Sequence, residues 1–192
     1  MSQKQEQNMT MPTPAELMQS AGIVQEGDPV LTQVTTPFHL PAEASEAGNI
    51  ISRLIVMLDR LRLVHDFPKG MGIAAPQIGI SRAAAVIHAP RGVALALLNP
   101  RIVFSSPEID EQHEGCLSFF GVRGIVPRPL VIDVIHEDTS GMTVLTTLKR
   151  GAARLACHEI DHLNGILYRN LVKPGTIIPV SAYDQEGQAW QY

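Results

Sequence analysis

The sequence predicts an α+β domain, and three observations carry that prediction. One segment repeats its apolar residues at three- and four-residue steps, as an amphipathic helix does; four short aliphatic segments lie between turn residues, as strands do; and a second helix follows the strands as a block instead of alternating with them. The expected arrangement is a set of small mixed or antiparallel sheets packed around a central helix bearing His-Glu-x-x-His, with an amphipathic helix on its N-terminal side. A chain of 192 residues that is 45% hydrophobic and 18% charged can bury one sizeable core but not two comfortable ones. The formal charge of -4 provides no basic field for a nucleic-acid backbone, so no direct nucleic-acid partner is expected. Two cysteines, Cys116 and Cys157, could form one disulfide at most and read as cytosolic thiols. The first residues are polar where a signal peptide is apolar, and no run approaches the roughly 18 apolar residues of a membrane helix. The expected location is cytoplasmic, with no membrane partner.

Residues 1–11 are Gln-rich and patternless, and are expected to be a disordered leader. From Pro41 to about His65, the residues Ile50, Ile51, Leu54, Ile55, Leu58, Leu61 and Val64 form the apolar stripe of a scaffold helix. Gly70 to Gly79 holds three glycines and a proline, a composition that reads as a loop able to approach a ligand closely. Strands are expected over Ala83 to Ile87, Val93 to Leu98, Leu130 to Ile135 and Met142 to Leu148, with turns at Pro90-Arg91-Gly92 and Asp138-Thr139-Ser140-Gly141 between them. The second helix runs from about Ala152 to Leu163 and stops at Asn164-Gly165. No internal repeat or interdomain linker is evident.

That second helix carries His158-Glu159-Ile160-Asp161-His162. At about 100° per residue, side chains four apart lie within about 40° on one face, so the two imidazoles can share one metal ion. Glu159 projects beside that face, a position suited to a general base that takes a proton from water. Histidines at this spacing are also commonplace as ordinary surface or core residues. A catalytic metal of this kind keeps three protein ligands and one open position, which raises the question of the third ligand. Downstream of His162 there is no His or Cys, and the remaining acids, Asp184 and Glu186, lie in a Gly- and Gln-rich tail. Upstream, Glu114-Gly115-Cys116-Leu117-Ser118 offers a thiol among apolar neighbours, which reads as a core strand and, taken alone, as a buried structural cysteine.

Taken in order, Gly70-Met71-Gly72-Ile73-Ala74-Ala75-Pro76-Gln77, Glu114-Gly115-Cys116-Leu117-Ser118 and His158-Glu159-Ile160-Asp161-His162-Leu163 resemble the three motifs of the peptide deformylases. The resemblance extends from about Ile23 to about Lys173. It implies a single catalytic domain over residues 12–175 and a C-terminal extension over 176–192. It also implies Cys116, His158 and His162 as metal ligands, Glu159 as base and then acid, and the Leu117 backbone N–H with the Gln77 amide as donors to the developing oxyanion. Gly72 and Ile73 become backbone contacts for an extended peptide, and Arg123 a contact to the substrate backbone or its carboxylate. The glycines are equally explained as residues that merely permit a turn. The reaction implied is removal of the formyl group from formyl-methionine on nascent chains, with release of formate. The cofactor implied is one divalent ion, Fe2+ by resemblance, although the same donors suit Zn2+, Ni2+ or Co2+.

Two enzyme classes share such a helix, and an HExxH zinc peptidase would draw its third ligand from downstream. A non-catalytic relative would be expected to lack Glu159, Gln77 or a ligand, and none is missing. One position departs from the family pattern: Cys157 stands where Gln is common, about 100° off the ligand face, so it is not expected to ligate. Arg128 is expected to pair with Glu114 or Asp161 and so to orient the ligands. The substrate implies a ribosome partner. Some relatives dock by a basic C-terminal helix, but Val180 to Tyr192 has two acids and no Lys or Arg, so at most transient contact is expected.

Overall fold

The computed structural model describes residues 12–90 and 94–186. The expected leader 1–11, the end of the tail and Val93 at the start of one expected strand lie outside the described residues. The first helix, α1 (Pro14–Ser20), opens with a capping box in which Thr13 accepts from the Glu16 backbone and Glu16 accepts from the Thr13 N–H. A longer helix, α2 (Ala44–Arg62), buries Ala47, Ile50, Leu54, Leu58 and Leu61 along one stripe. It is shorter at both ends than the expected span from Pro41 to His65.

The glycine-rich segment is a strand rather than a loop. Met71–Ala74 forms β1, wholly buried, and Ala75–Ile78 continues as one 3-10 turn ended by Gly79 in the left-handed region. β2 (Ala84–His88) and β3 (Leu95–Ser105) follow, with β3 running through Asn99-Pro100 because the pairing shifts register there instead of turning. β6 (Val131–Glu137) and β7 (Thr143–Lys149) complete a five-stranded antiparallel sheet of order β1-β2-β3-β6-β7, with β1 at one edge. Alternation along β2 and β3 sorts their side chains to two faces. Val86 and Leu98 join the core against α2, whereas Ile87 and Leu97 join a second cluster with Ala153, Ala156, Cys157 and Ile160. Covering both faces explains why Ala83 to Ile87 is an unbroken apolar run.

A second sheet, β4 (Ile109–Glu114), β5 (Val122–Pro129) and β8 (Ile178–Pro179), was not legible as strands. β4 is polar, and β5 contains Pro127 and Pro129, which pair with Glu111 and Ile109. β8 pairs only with Val122 and Arg123, so both prolines lie where the other side of β5 requires no donor. The helix α3 (Arg150–Leu163) follows β7 directly and contacts β1, β2, β5 and β7, touching both sheets. It ends at Asn164, and Gly165 takes φ +70°, as the Asn-Gly stop predicts. The described residues close with α4 (Val180–Glu186). All paired strands are antiparallel, and no helix among the described residues is long and apolar enough to cross a membrane.

Candidate active site

The structure brings together side chains from two distant stretches of the sequence. Cys116, His158 and His162 are buried, and one ligand atom from each lies within 4.8 Å of the others. Cys116 Sγ is 3.2 Å from His162 Nε2. The two imidazoles come from one face of α3, with ring centroids 5.0 Å apart. Cys116 comes not from a core strand, as the sequence suggests, but from the bend after β4, where it precedes a 3-10 turn over Leu117–Phe119. Gly115 leaves room at that bend for the Arg123 guanidinium, which a Cβ there would displace.

Burial opposes ionisation of Cys116, but the charges of His162 and His158 and their hydrogen bonds overcome it and hold the thiol down at about 5. The pair of imidazoles thus favours the thiolate, the form that binds metal. His158 Nδ1 lies 3.2 Å from Glu114 Oε2. Burial works against ionisation of Glu114 too, yet hydrogen bonds from His158 and Arg128 bring it down to about 2. A carboxylate there can only accept, so Nδ1 carries a proton, and Nε2 is the nitrogen that a metal could take once its own proton is displaced. His162 Nδ1 and Glu159 Oε2 are buried with no hydrogen-bond partner among the described residues. A thiolate, two imidazoles and orphaned polar atoms beside them fit a divalent ion with an accompanying water.

Glu159 is buried, and desolvation, partly offset by the two histidine charges, pushes its carboxyl up to about 7. Such a group can both take and return a proton near neutrality. β1 passes directly against it, and a Cβ on Gly72 would lie 2.8 Å from Glu159 Cγ and Cδ. The structure thus separates two glycines that the sequence could not. Gly70 has φ +73° and permits a turn, whereas Gly72 lies within a strand and makes room for the carboxylate.

Gln77 is 1% exposed. Its Oε1 accepts from Ala74 N at 2.9 Å, which aims Nε2 at Cys116 Sγ (3.5 Å) and Ser118 Oγ (3.4 Å). Leu117 begins the 3-10 turn beside the sulfur. Gly72, Gln77, Cys116, Leu117, Arg123, His158 and Glu159 all line one cavity of about 170 Å³, where one water needs roughly 10–15 Å³. Ile73 is different: its side chain is fully buried in the α2 core, so only its backbone is available to a ligand. Arg123 donates to the Phe120 and Val122 carbonyls and lies 4.7 Å from the Phe120 ring centroid. His65, Phe67 and Phe120, in mutual edge-to-face contact, make an apolar wall.

Behind the ligands lies a network of buried charges. Arg128 grips Glu114 with two bonds, of 2.9 and 3.0 Å, and donates to Asp161 at 2.6 Å, so it pairs with both acids named from the sequence. Arg154, which the sequence did not single out, donates to Glu114 at 2.7 Å and to the Val126 carbonyl at 2.8 Å. Its place on α3, one turn before His158, is the only signal the sequence carried. Cys157 faces the apolar cluster with Ile87, Leu97 and Ile132, outside the ligand group, and burial pushes its thiol up to about 11.

Comparison with known proteins agrees with this geometry. The family model described as polypeptide deformylase matches residues 20–176. Peptide deformylase 2 of Nostoc sp. is 37% identical over 161 residues, covering 79% of this chain and 85% of that protein. The peptide deformylase of Carboxydothermus hydrogenoformans is 36% identical over 157 residues, covering 80% and 96%. The crystal structure of the Thermotoga maritima peptide deformylase superposes with a TM-score of 0.69 at 35% identity, covering 79% of this chain and 97% of that one.

Proposed function

The chain belongs to the polypeptide deformylase family, and from that premise we propose how its own residues carry out the family's reaction. It is a hydrolase that removes the N-formyl group from nascent polypeptides, and the convergence of Cys116, His158 and His162 beside Glu159 is the observation that carries this reading. Cys116, His158 and His162 hold one divalent ion. When bound there, such an ion supplies a Lewis acid for the formyl oxygen and makes a nearby water more acidic.

Glu159 takes a proton from the attacking water and returns it to the departing amine, roles supported by its burial and by a carboxyl pushed up to about 7. Gln77 Nε2 and the Leu117 N–H donate to the formyl oxygen as charge collects there; loss of one such donor costs typically about 3–4 kcal/mol of transition-state stabilisation. The bond from Ala74 N to Gln77 Oε1 supports that assignment because it fixes which end of the amide faces the sulfur. Gly72 and Ile73 present backbone to the peptide, which extends along the edge of the sheet, and Arg123 steadies the chain beyond. Glu114, Arg128, Arg154 and Asp161 orient the imidazoles.

The catalytic unit spans residues 12–175, arranged around α3 as its centre, and 176–192 is an extension of it. The ion is Fe2+, supported by family resemblance and by a thiolate-imidazole donor set that Zn2+, Ni2+ and Co2+ also fit. The enzyme works in the cytoplasm on chains still being made and meets the ribosome transiently. Formate release from formyl-Met-Ala-Ser, measured beside cleavage of an internal peptide bond, tests the whole. Formate without internal cleavage is expected; internal cleavage alone would make the protein an endopeptidase.

A further inference from the structure

The loop between α2 and β1 carries two aromatic rings into the cleft. His65 N donates to Leu61 O at 3.0 Å and Gly70 N to Phe67 O at 3.0 Å, so backbone bonds fix the loop at both ends. The His65 and Phe67 ring centroids lie 5.0 Å apart, and they stand 4.8 and 6.0 Å from that of Phe120, which follows the 3-10 turn of Leu117. Phe120 is 2% exposed and has the Arg123 guanidinium over its ring. It backs the wall, and the half-buried His65 and Phe67 present surface to the cavity.

The strand beside this wall decides which part of a bound peptide meets it. Glu159 lies against Gly72, whereas Gln77 and Leu117 lie beyond it toward Cys116. With the formyl group at that end, the residue bearing it lies opposite Gly72, and the peptide runs antiparallel to β1, back toward Gly70. The second residue then lies opposite Met71. Residues opposite one another on antiparallel strands turn their side chains to the same face, and successive residues alternate. Gly72 faces α3, because a Cβ there would meet Glu159. Met71 faces the other way, into the core it shares with α2, Leu117 and Phe120, against which Phe67 packs. The first side chain is therefore directed toward α3 and the second toward Phe67 and His65. A large apolar side chain in second place covers that wall, whereas a methyl group covers little of it.

We propose that His65, Phe67 and Phe120 form a subsite for the side chain next after formyl-methionine, and that it selects nascent chains with an aromatic or large aliphatic residue in second place. The inference rests on the deformylase reading and narrows its substrate class. The test is kcat/KM for formate release from formyl-Met-Phe-Ser, formyl-Met-Leu-Ser and formyl-Met-Ala-Ser. The wild-type enzyme should favour Phe over Ala by about tenfold, with Leu between them, and mainly through KM, because this side chain lies away from the reacting bond. Phe67→Ala should bring the Phe-to-Ala ratio close to one. Phe67→Leu, which keeps the packing on α2, should erase the margin of Phe over Leu and leave both above Ala. A purely structural role for Phe67 would slow all three peptides alike with the wild-type ratio intact, and that result overturns the subsite, as do equal wild-type rates. A Phe67→Ala enzyme that alters the choice between formyl-Met-Ala-Ser and formyl-Ala-Ala-Ser, with the second-residue ratio unmoved, puts the first side chain on the wall and overturns the assignment. No formate from any peptide overturns the deformylase reading and the subsite with it.

Discussion

The two sides of α3 are both buried, but they are stabilised by different physics. Toward the cavity, His158, Glu159 and His162 sit with Arg154 and their partners Glu114 and Arg128, a set of ionisable groups removed from water, with the half-buried Asp161 at its edge. Toward the large sheet, Ala153, Ala156, Cys157 and Ile160 meet Ile87, Leu97, Ile132 and Val134, with no charge among them. The charged side is costly to form and tolerates no missing partner, since each group removed leaves another buried and unpaired. The apolar side is forgiving, because an imperfect fit there costs contacts rather than desolvated charge. One helix therefore separates a chemically exacting surface from a structural one.

Substitutions should sharpen the contrast, and the largest effect belongs to the base. Glu159→Ala should lower formate release by about 10²–10⁴-fold while metal content by elemental analysis stays at the wild-type level, because the carboxylate is not among the three ligands. Glu114→Gln comes next. It removes the charge and one of the two acceptor oxygens that serve Arg128, Arg154 and His158, and should cost about 3–5 kcal/mol in urea unfolding and weaken metal affinity about 10–100-fold. On the opposite side, Cys157→Gln should cost only about 1–3 kcal/mol through overpacking and leave metal stoichiometry unchanged. Loss of bound metal in that last variant would mean that the two sides are coupled after all.

The sequence disclosed what is local and periodic. The α2 stripe, the Asn-Gly stop of α3 and the aliphatic β2 each depend on neighbours a few residues away, and each stands close to its expected place. Cys116 and the two histidines were named from short motifs, and the structure brings them within ligand distance of one another. What escaped depends on distant partners. β5 alternates in burial, but its buried positions are Gly124, Val126 and Arg128, and β4 is polar, so neither shows an apolar alternation in the sequence. Arg154 meets Glu114 across 40 residues and Lys69 meets Tyr183 across 114, separations at which no spacing rule operates. The purpose of Gly72 was hidden for the same reason, since the carboxylate that excludes its Cβ is supplied by α3.

Among the described residues β1 ends its sheet without a neighbouring strand on one side, yet all four of its residues are buried. An open strand edge invites other chains to pair with it and is a standing aggregation hazard. Sinking that edge in a cleft removes the hazard, because another protein's sheet cannot follow it inside. A buried edge of this kind offers its hydrogen-bonding groups to a single extended chain that enters the cleft, and withholds them from a strand of a folded neighbour.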